Sequence, residues 1–267
     1  SDSLFPLEGD VPKSLLVIGG GFIGCEMAAF FSAIGTETRL FTRGDKLLGR
    51  EDHDIERVFK TEFEKQVPTH CHSTLKDLSW DGKEFTATFE IHGELKIFTA
   101  ERVLFAIGRS PNTESLDLSK TGLVADKRGF LPVNEHLETT VPGIFATGDV
   151  NGRFMLQHAA AFEVHYLRQK FLKGITDPID ERLIAHAVFS YPEVASVGFT
   201  SRNHPTKRSA IQPPGKPSKY PDAPNMPTIA LAAGFATCSP SLSSSNIPLP
   251  PSDSGAARYR MRNARIP

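Results

Sequence analysis

Residues 15–26 read "LLVIGGGFIGCE", and the fold turns on this stretch. Leu15, Leu16, Val17 and Ile18 run without a polar break, as a strand buried on both faces of a parallel sheet does. Three glycines follow. Then "FIGCEMAAFFSAIG", rich in small and apolar residues, reads as a helix with Gly35 as its C-terminal cap. Gly19, Gly21 and Gly24 fit the pattern G-x-G-x-x-G, and each glycine has its own physical reason. Gly19 permits the tight turn out of the strand, Gly21 lets a pyrophosphate reach the backbone with no Cβ in the way, and Gly24 lets the helix pack close to the strand. The start of the helix adds unpaired N–H groups and about half a positive charge. Gly20, Phe22 and Ile23 complete the candidate cradle. With a strand before it and a helix after it, the loop reads as a dinucleotide-phosphate site; the alternative is a glycine-rich turn with no ligand.

The next strand, "TETRLFTR", begins the second half of a βαβ unit within the ~30 residues such a unit takes. A carboxylate about 20 residues past the loop would accept a ribose 2′-OH and mark NAD. Here the strand ends "LFTRGDK", with Arg43, then Lys46 and Arg50. A guanidinium meets two phosphate oxygens with two donors, so the reading favours NADP(H) over NAD(H). The alternative for Arg43 is a solvated surface charge.

Further along, "REDHDIERVFKTEFEKQ" places Ile55, Phe59 and Phe63 on one helical stripe, stopped by Pro68. "FTATFEI" alternates Phe85, Ala87, Phe89 and Ile91 with polar residues, His92-Gly93 turns the chain, and "ELKIF" returns, which predicts a hairpin. "RVLFAIG" is continuously apolar and should rejoin the buried sheet. A loop, "GRSPNTESLDLSKTG", follows. "GIFATGD" predicts another buried strand ending at Asp149, "MLQHAAAFEVHYLRQKFLKG" a helix closed by Gly174, and "HAVFSYPEVASVGFT" two strands around a proline turn.

Composition divides the chain. Residues 1–200 carry 21 Lys and Arg against 29 Asp and Glu, a balance of −8; residues 201–267 carry 9 against 2, a balance of +7. The second part also holds 12 of the 20 prolines and 10 serines without sustained periodicity. It reads as a disordered tail, with too little apolar surface to offset the entropy of ordering. Its basic segment "IQPPGKPSKYPDAP" is either a solvated linker or an extended docking segment. No apolar run reaches the ~20 residues of a membrane helix, and "SDSLFPLEGDVPK" lacks a secretory layout. Cys25, Cys71 and Cys238 form no CxxC pair, so neither a disulfide framework nor a metal site is expected. The expectation is an intracellular protein, cytoplasmic or organellar, with no nucleic-acid or membrane partner.

"VIGGGFIGCE", "FAIGRSPNT", "VPGIFATGDV" and "AHAVFSYPEVASVG", in this order, resemble the class I pyridine nucleotide–disulfide oxidoreductases, which include dihydrolipoamide dehydrogenase, glutathione reductase and mercuric reductase. The resemblance covers about residues 10 to 200. It implies FAD-dependent enzymes that pass a hydride from NAD(P)H through the flavin to a disulfide, and that work as homodimers. It implies an α/β fold: a Rossmann-like doubly wound parallel sheet with a β-hairpin excursion, followed by a partial FAD-binding segment. Residues 1–12 would be a linker, 13–108 the NAD(P)-binding domain, 109–184 the second part of the FAD-binding domain, and 185–200 the start of the dimerisation domain. By the same resemblance Glu26 lies near nicotinamide and flavin, Ala106, Ile107, Gly108 and Arg109 close the domain beside the nucleotide, and Gly148-Asp149 holds the FAD ribityl hydroxyls. Leu156, Gln157, His158 and Ala159 begin a helix aimed at the flavin's pyrimidine edge, where a helix N-terminus stabilises negative charge.

Blander readings stand beside these. Asp149 is otherwise an N-cap, Glu26 an ordinary helical charge, Cys25 a packing residue and His158 a structural one. The family's earlier FAD domain, with its own glycine loop and a Cys-x4-Cys pair, has no counterpart in these residues, and most of the dimer interface is missing. The expectation is a partial family fold inactive alone. The alternative is a non-catalytic NAD(P)-binding module or an interaction protein derived from the family.

Overall fold

The computed structural model describes residues 9–198. Strand β1 (Ser14–Ile18) leads through helix α1 (Phe22–Ala33) to β2 (Glu37–Phe41), and helix α2 (His53–Phe63) leads to the short β3 (Thr69–His70). Three antiparallel strands follow, β4 (Ser73–Trp80), β5 (Phe85–Ile91) and β6 (Glu94–Ala100), before β7 (Arg102–Phe105) returns to the other side of β1. The parallel sheet has the order β3-β2-β1-β7, with Leu16 between Arg39 and Val103.

Alternation along β1 and β2 sends residues to opposite faces of the sheet. Leu15, Val17 and Leu40 face the helices and pack with Ala28, Phe31, Ile55, Phe59 and Phe63. Leu16 and Phe41 face the other way and meet Ala87, Phe89, Ile91 and Ala100 of the antiparallel sheet. Helices therefore cover one face and a three-stranded meander covers the other. Phe41 stacks on Phe89 with ring centroids 4.0 Å apart, tying the two sheets together. The β5–β6 turn is as the alternation predicts: His92 and Gly93 both have positive φ, 52° and 85°, the conformation of the tight hairpin turn that suits twisted strands.

Four elements differ from the sequence expectation. Strand β4 was not legible, because a bulge between Leu75 and Asp77 breaks its alternation and leaves Leu75 and Leu78 on one face at a spacing of three. Helix α2 stops at Phe63 rather than at Pro68; the N–H groups of Gln66 and Val67 both bond Phe63 O and close a turn there. Strand β7 joins the sheet at its edge, so Val103 and Leu104 are only half-buried and Phe105 is exposed. "GIFATGD" is not a sheet strand. Ala146 bonds Leu137 O and Thr139 bonds Ile144 O, so its backbone is satisfied by residues just before it, and Gly148–Asn151 forms a 3-10 turn. Asp149 thus stands on a turn, not at the end of a strand.

Helix α3 (Gln157–Lys173) ends at Gly174 in the left-handed region, as read from the sequence. It anchors a third apolar cluster through Tyr166, with Leu137 and Ile179. The hairpin β8 (His186–Val188) and β9 (Val194–Ser196) packs Val188 and Val194 into the core shared by α1 and α2. Among the described residues no helix is long and apolar enough to cross a membrane, and no three His, Cys, Asp or Glu side chains are grouped to hold a metal. The tail, residues 201–267, lies outside the described residues, as does the end of "HAVFSYPEVASVGFT".

Candidate functional site

The glycine loop sits where the strand order reverses. From β1 the chain winds outward through β2 and β3, then returns to the opposite side as β7. Open α/β sheets bind ligands at the carboxyl ends of strands at such a point. Gly19 N–H bonds Phe41 O at 2.8 Å, and Ala106 N–H bonds Ile18 O at 2.8 Å, fixing the loop between the two flanking strands.

Each glycine of the motif has a distinct surrounding. Gly19 has φ +129°, and a Cβ there would lie 2.2 Å from Ala106 O. A Cβ at Gly24 would lie 1.9 Å from Gly19 O, so α1 packs against the loop with no room for a methyl. A Cβ at Gly21 would meet nothing within 4 Å. Backbone thus needs Gly19 and Gly24, while the open space at Gly21 is what an approaching phosphate would use. The first bond of α1 runs from Cys25 N–H to Gly21 O at 3.0 Å, and Gly21 supplies no side-chain cap. The N–H groups of Phe22, Ile23 and Gly24 therefore have no partner among the described residues, at the positive end of the helix. This cradle fits a dinucleotide pyrophosphate. Gly20 is held behind it, its carbonyl taking Leu48 N–H at 2.8 Å.

Arg43 is exposed just past β2 and has no ion pair among the described residues. Lys46 is committed elsewhere, its Nζ 3.5 Å from Oε2 of the buried Glu56. Arg50 lies near His186, whose imidazolium it opposes. Of the three cations named from the sequence, Arg43 and Arg50 have no ion pair among the described residues, and Arg43 stands nearest the β2 end. An open groove of about 380 Å³ runs along α2 past Lys46, which faces Glu56, and Lys60, which faces Glu64; no residue of the glycine loop lines it.

Glu26 points at the hairpin: its Oε1 accepts Phe189 N–H at 2.9 Å. Next to it, Cys25 is fully buried, and burial together with the Glu26 charge pushes its thiol well above the ordinary range. Cys25 is therefore a packing residue and no nucleophile. Cys71 is the other free cysteine among the described residues.

Ile107 and Gly108 continue β7 into solvent, and Arg109 reaches back to the second cluster of candidates. Its Nη1 lies 3.0 Å from Asp149 Oδ2 and 3.2 Å from Met155 O. Asp149 remains 56% exposed, so its carboxylate is open to a further donor. Helix α3 begins at Leu156 without a side-chain cap, and its first bond is Ala160 N–H to Leu156 O. The N–H groups of Gln157, His158 and Ala159 are left as a second uncapped start. The His158 ring bonds Ala185 O through Nε2; a carbonyl only accepts, so Nε2 carries the proton, and the residue ties α3 to the hairpin.

Two groups escaped sequence reading. Glu163, on α3, is fully buried and bonds Gly148 N–H at 2.6 Å and Asn151 Nδ2 at 3.0 Å. Glu51, also buried, holds His186 Nε2 at 2.6 Å and Ser196 Oγ at 3.1 Å. That Glu51 bond, against burial and Arg50, raises the His186 pKa above the ordinary imidazole value. Ser196 and Glu51 both approach the same ring nitrogen, 3.0 Å from Ser196 Oγ, so the trio is a clasp rather than a nucleophile with its base. A charged residue inside an apolar helical face was the only signal of Glu163.

The sequence pattern of the pyridine nucleotide-disulphide oxidoreductase family matches residues 3–163. This chain belongs to that family. Dihydrolipoyl dehydrogenase of Bacillus subtilis (strain 168) is 35% identical over 195 residues, which are 72% of this chain and 42% of that one. Dihydrolipoyl dehydrogenase of Chlamydia trachomatis serovar D is 31% identical over 233 residues, 85% of this chain and 48% of that one. Among solved structures, LpdA from Mycobacterium tuberculosis superposes with a TM-score of 0.67 at 26% identity, covering 74% and 43% of the two chains. The HOCl-induced flavoprotein disulfide reductase RclA from Escherichia coli gives 0.66 at 27% identity, covering 74% and 45%. This oxidoreductase-family chain spans less than half the length of these relatives.

Proposed function

We propose that this chain is the nucleotide-binding part of an FAD-dependent disulfide oxidoreductase, in which NAD(P)H gives up a hydride and a disulfide becomes a dithiol. The observation that carries the reading is the open face of Gly21 beside three free N–H groups at the switch point. Family membership supports the class of reaction. When bound, FAD accepts the hydride and hands the electron pair on. The residues here bind and orient: 19–24 grip the pyrophosphate of the nicotinamide nucleotide, Asp149 accepts ribityl hydroxyls, and the start of α3 faces the flavin's electron-rich edge. Glu26 stands two residues past Gly24, near the nicotinamide. Segments 13–108 and 109–184 act as nucleotide-binding and partial FAD-binding units, and 185–200 begins the dimerisation unit.

Arg43 favours NADP(H), since an exposed guanidinium just past the β2 end, with no ion pair among the described residues, suits a 2′-phosphate. Lys46 contributes less than the sequence suggested, because Glu56 holds it. The dithiol that completes such a reaction is not among the described residues, where Cys25 and Cys71 are free and far apart in sequence.

A non-catalytic NAD(P)-binding module is the second reading, since the glycine loop would grip the nucleotide in either case. Absorbance separates the two. Purified chain supplied with FAD that turns yellow and bleaches with NADPH supports the oxidoreductase. A colourless chain that still quenches NADPH fluorescence supports the module, and a chain that binds neither overturns both.

A further inference from the structure

The turn that carries Asp149 is held by one buried group. Gly148–Asn151 is a 3-10 turn with no side-chain cap of its own, and Gly148 has φ +74°. It lies so close to α3 that a Cβ on Gly148 would stand 3.1 Å from Ala160 Cβ. From the same helix Glu163 reaches under the turn. Its Oε2 accepts the Gly148 N–H at 2.6 Å and Asn151 Nδ2 at 3.0 Å, at the two ends of the turn. Asn151 is buried as well, and its Oδ1 in turn accepts Arg153 N–H at 2.9 Å. Among the described residues Glu163 Oε1 has no hydrogen-bond partner. A carboxylate kept out of water with one oxygen unsatisfied is costly, and a fold tolerates it where the bonds of the other oxygen matter.

We infer that Glu163 is a positioning residue for the flavin: by bonding both ends of the Asp149 turn from below, it fixes the angle at which Asp149 meets a ligand hydroxyl. Glu163 touches no ligand itself. It acts through the N–H of Gly148, the residue before Asp149, and through Asn151. Arg109 steadies Asp149 from the outer side at 3.0 Å, so the carboxylate is fixed both by its turn and by an ion pair. This inference rests on the assignment of Asp149 to FAD.

The test titrates FAD and, separately, NADPH into the full chain by fluorescence, for wild type, Glu163→Leu, Glu163→Gln and Asn151→Ala. Glu163→Leu should weaken FAD binding by about 10- to 100-fold, the range for losing charge-assisted bonds that hold a site, while NADPH affinity at the distant glycine loop stays within about threefold. Glu163→Gln keeps an acceptor oxygen of the same reach, so it should restore FAD affinity to within about threefold of wild type. That selective loss with conservative rescue is what general destabilisation would not produce. If Glu163→Leu does not fold, Asn151→Ala decides: it removes one of the two bonds and should weaken FAD binding by roughly 3- to 10-fold without touching NADPH. Unchanged FAD affinity in the folded variants overturns the inference and leaves the cofactor assignment standing. A wild-type chain that binds NADPH but not FAD overturns the assignment of Asp149, and the role of Glu163 falls with it.

Discussion

Two substitutions of one atom group each, Gly21→Ala and Gly24→Ala, should have opposite consequences. At Gly24 the added methyl would sit 1.9 Å from Gly19 O, when Cβ contacts below 3.0 Å are essentially never seen, so α1 must retreat by about an ångström. Overpacking of this kind costs typically 1–3 kcal/mol, and the better helix propensity of alanine returns about 1 kcal/mol. A net loss of about 1 kcal/mol lowers the melting temperature by roughly 2–4 °C in a body of this size. At Gly21 the methyl meets nothing within 4 Å and φ is −81°, which alanine adopts freely. Only the weaker N-cap preference of alanine acts there, about 1 kcal/mol at most. Yet that methyl stands where a pyrophosphate would reach the free N–H groups, so NADPH affinity should fall about 10- to 100-fold, the equivalent of one or two lost charge-assisted bonds. Differential scanning fluorimetry and NADPH fluorescence titration, run on both variants, separate the effects. Wild-type affinity in Gly21→Ala would refute the reasoning about the cradle; an unchanged melting temperature in Gly24→Ala would refute the close approach.

Other expected outcomes follow the same residues. Arg43→Glu should reduce NADPH affinity by roughly tenfold or more while sparing NADH, because it puts a like charge beside a 2′-phosphate; equal effects on both nucleotides would count against the assignment. The His186–Glu51 clasp should be pH-dependent: with the imidazole pKa raised in the fold, its stabilisation is complete below about pH 6.5 and is lost as pH rises through the raised value. Hydrogen exchange of residues 186–196 should therefore quicken with pH beyond the intrinsic rate, and Glu51→Gln should abolish that excess. Phe89→Ala removes a fully buried ring stacked on Phe41 and should cost about 3–5 kcal/mol, visible as a lower urea midpoint.

Much of the first hundred residues was legible, because single-residue rules act there. The positive φ of Gly19, the packing of Gly24 and the turn at His92-Gly93 follow from local geometry that only certain residues tolerate. Period-two alternation assigned Phe89 and Ile91 to the core, and period-3.6 spacing assigned Ile55, Phe59 and Phe63. What stayed hidden depended on partners distant in sequence. "GIFATGD" has the apolar character of a strand, but its backbone bonds go to residues 137–141, a choice that apolarity alone does not reveal. Lys46 suits a phosphate by its place in the sequence, but Glu56 lies beside it in the fold. Glu51 and His186 are 135 positions apart, and no spacing rule links them.

Helices α1 and α3 both begin without a side-chain cap. A missing cap forgoes about 1 kcal/mol of helix stability, and an anionic guest at either start would restore it. Part of the molecule's thermal resistance would then be lodged in an anion bound at these ends. By mass action, coenzyme at a hundred times its dissociation constant adds about 2.7 kcal/mol. Melting curves for this protein acquire a defined meaning only at a stated coenzyme concentration, and refolding should proceed best with the nucleotide already in the buffer.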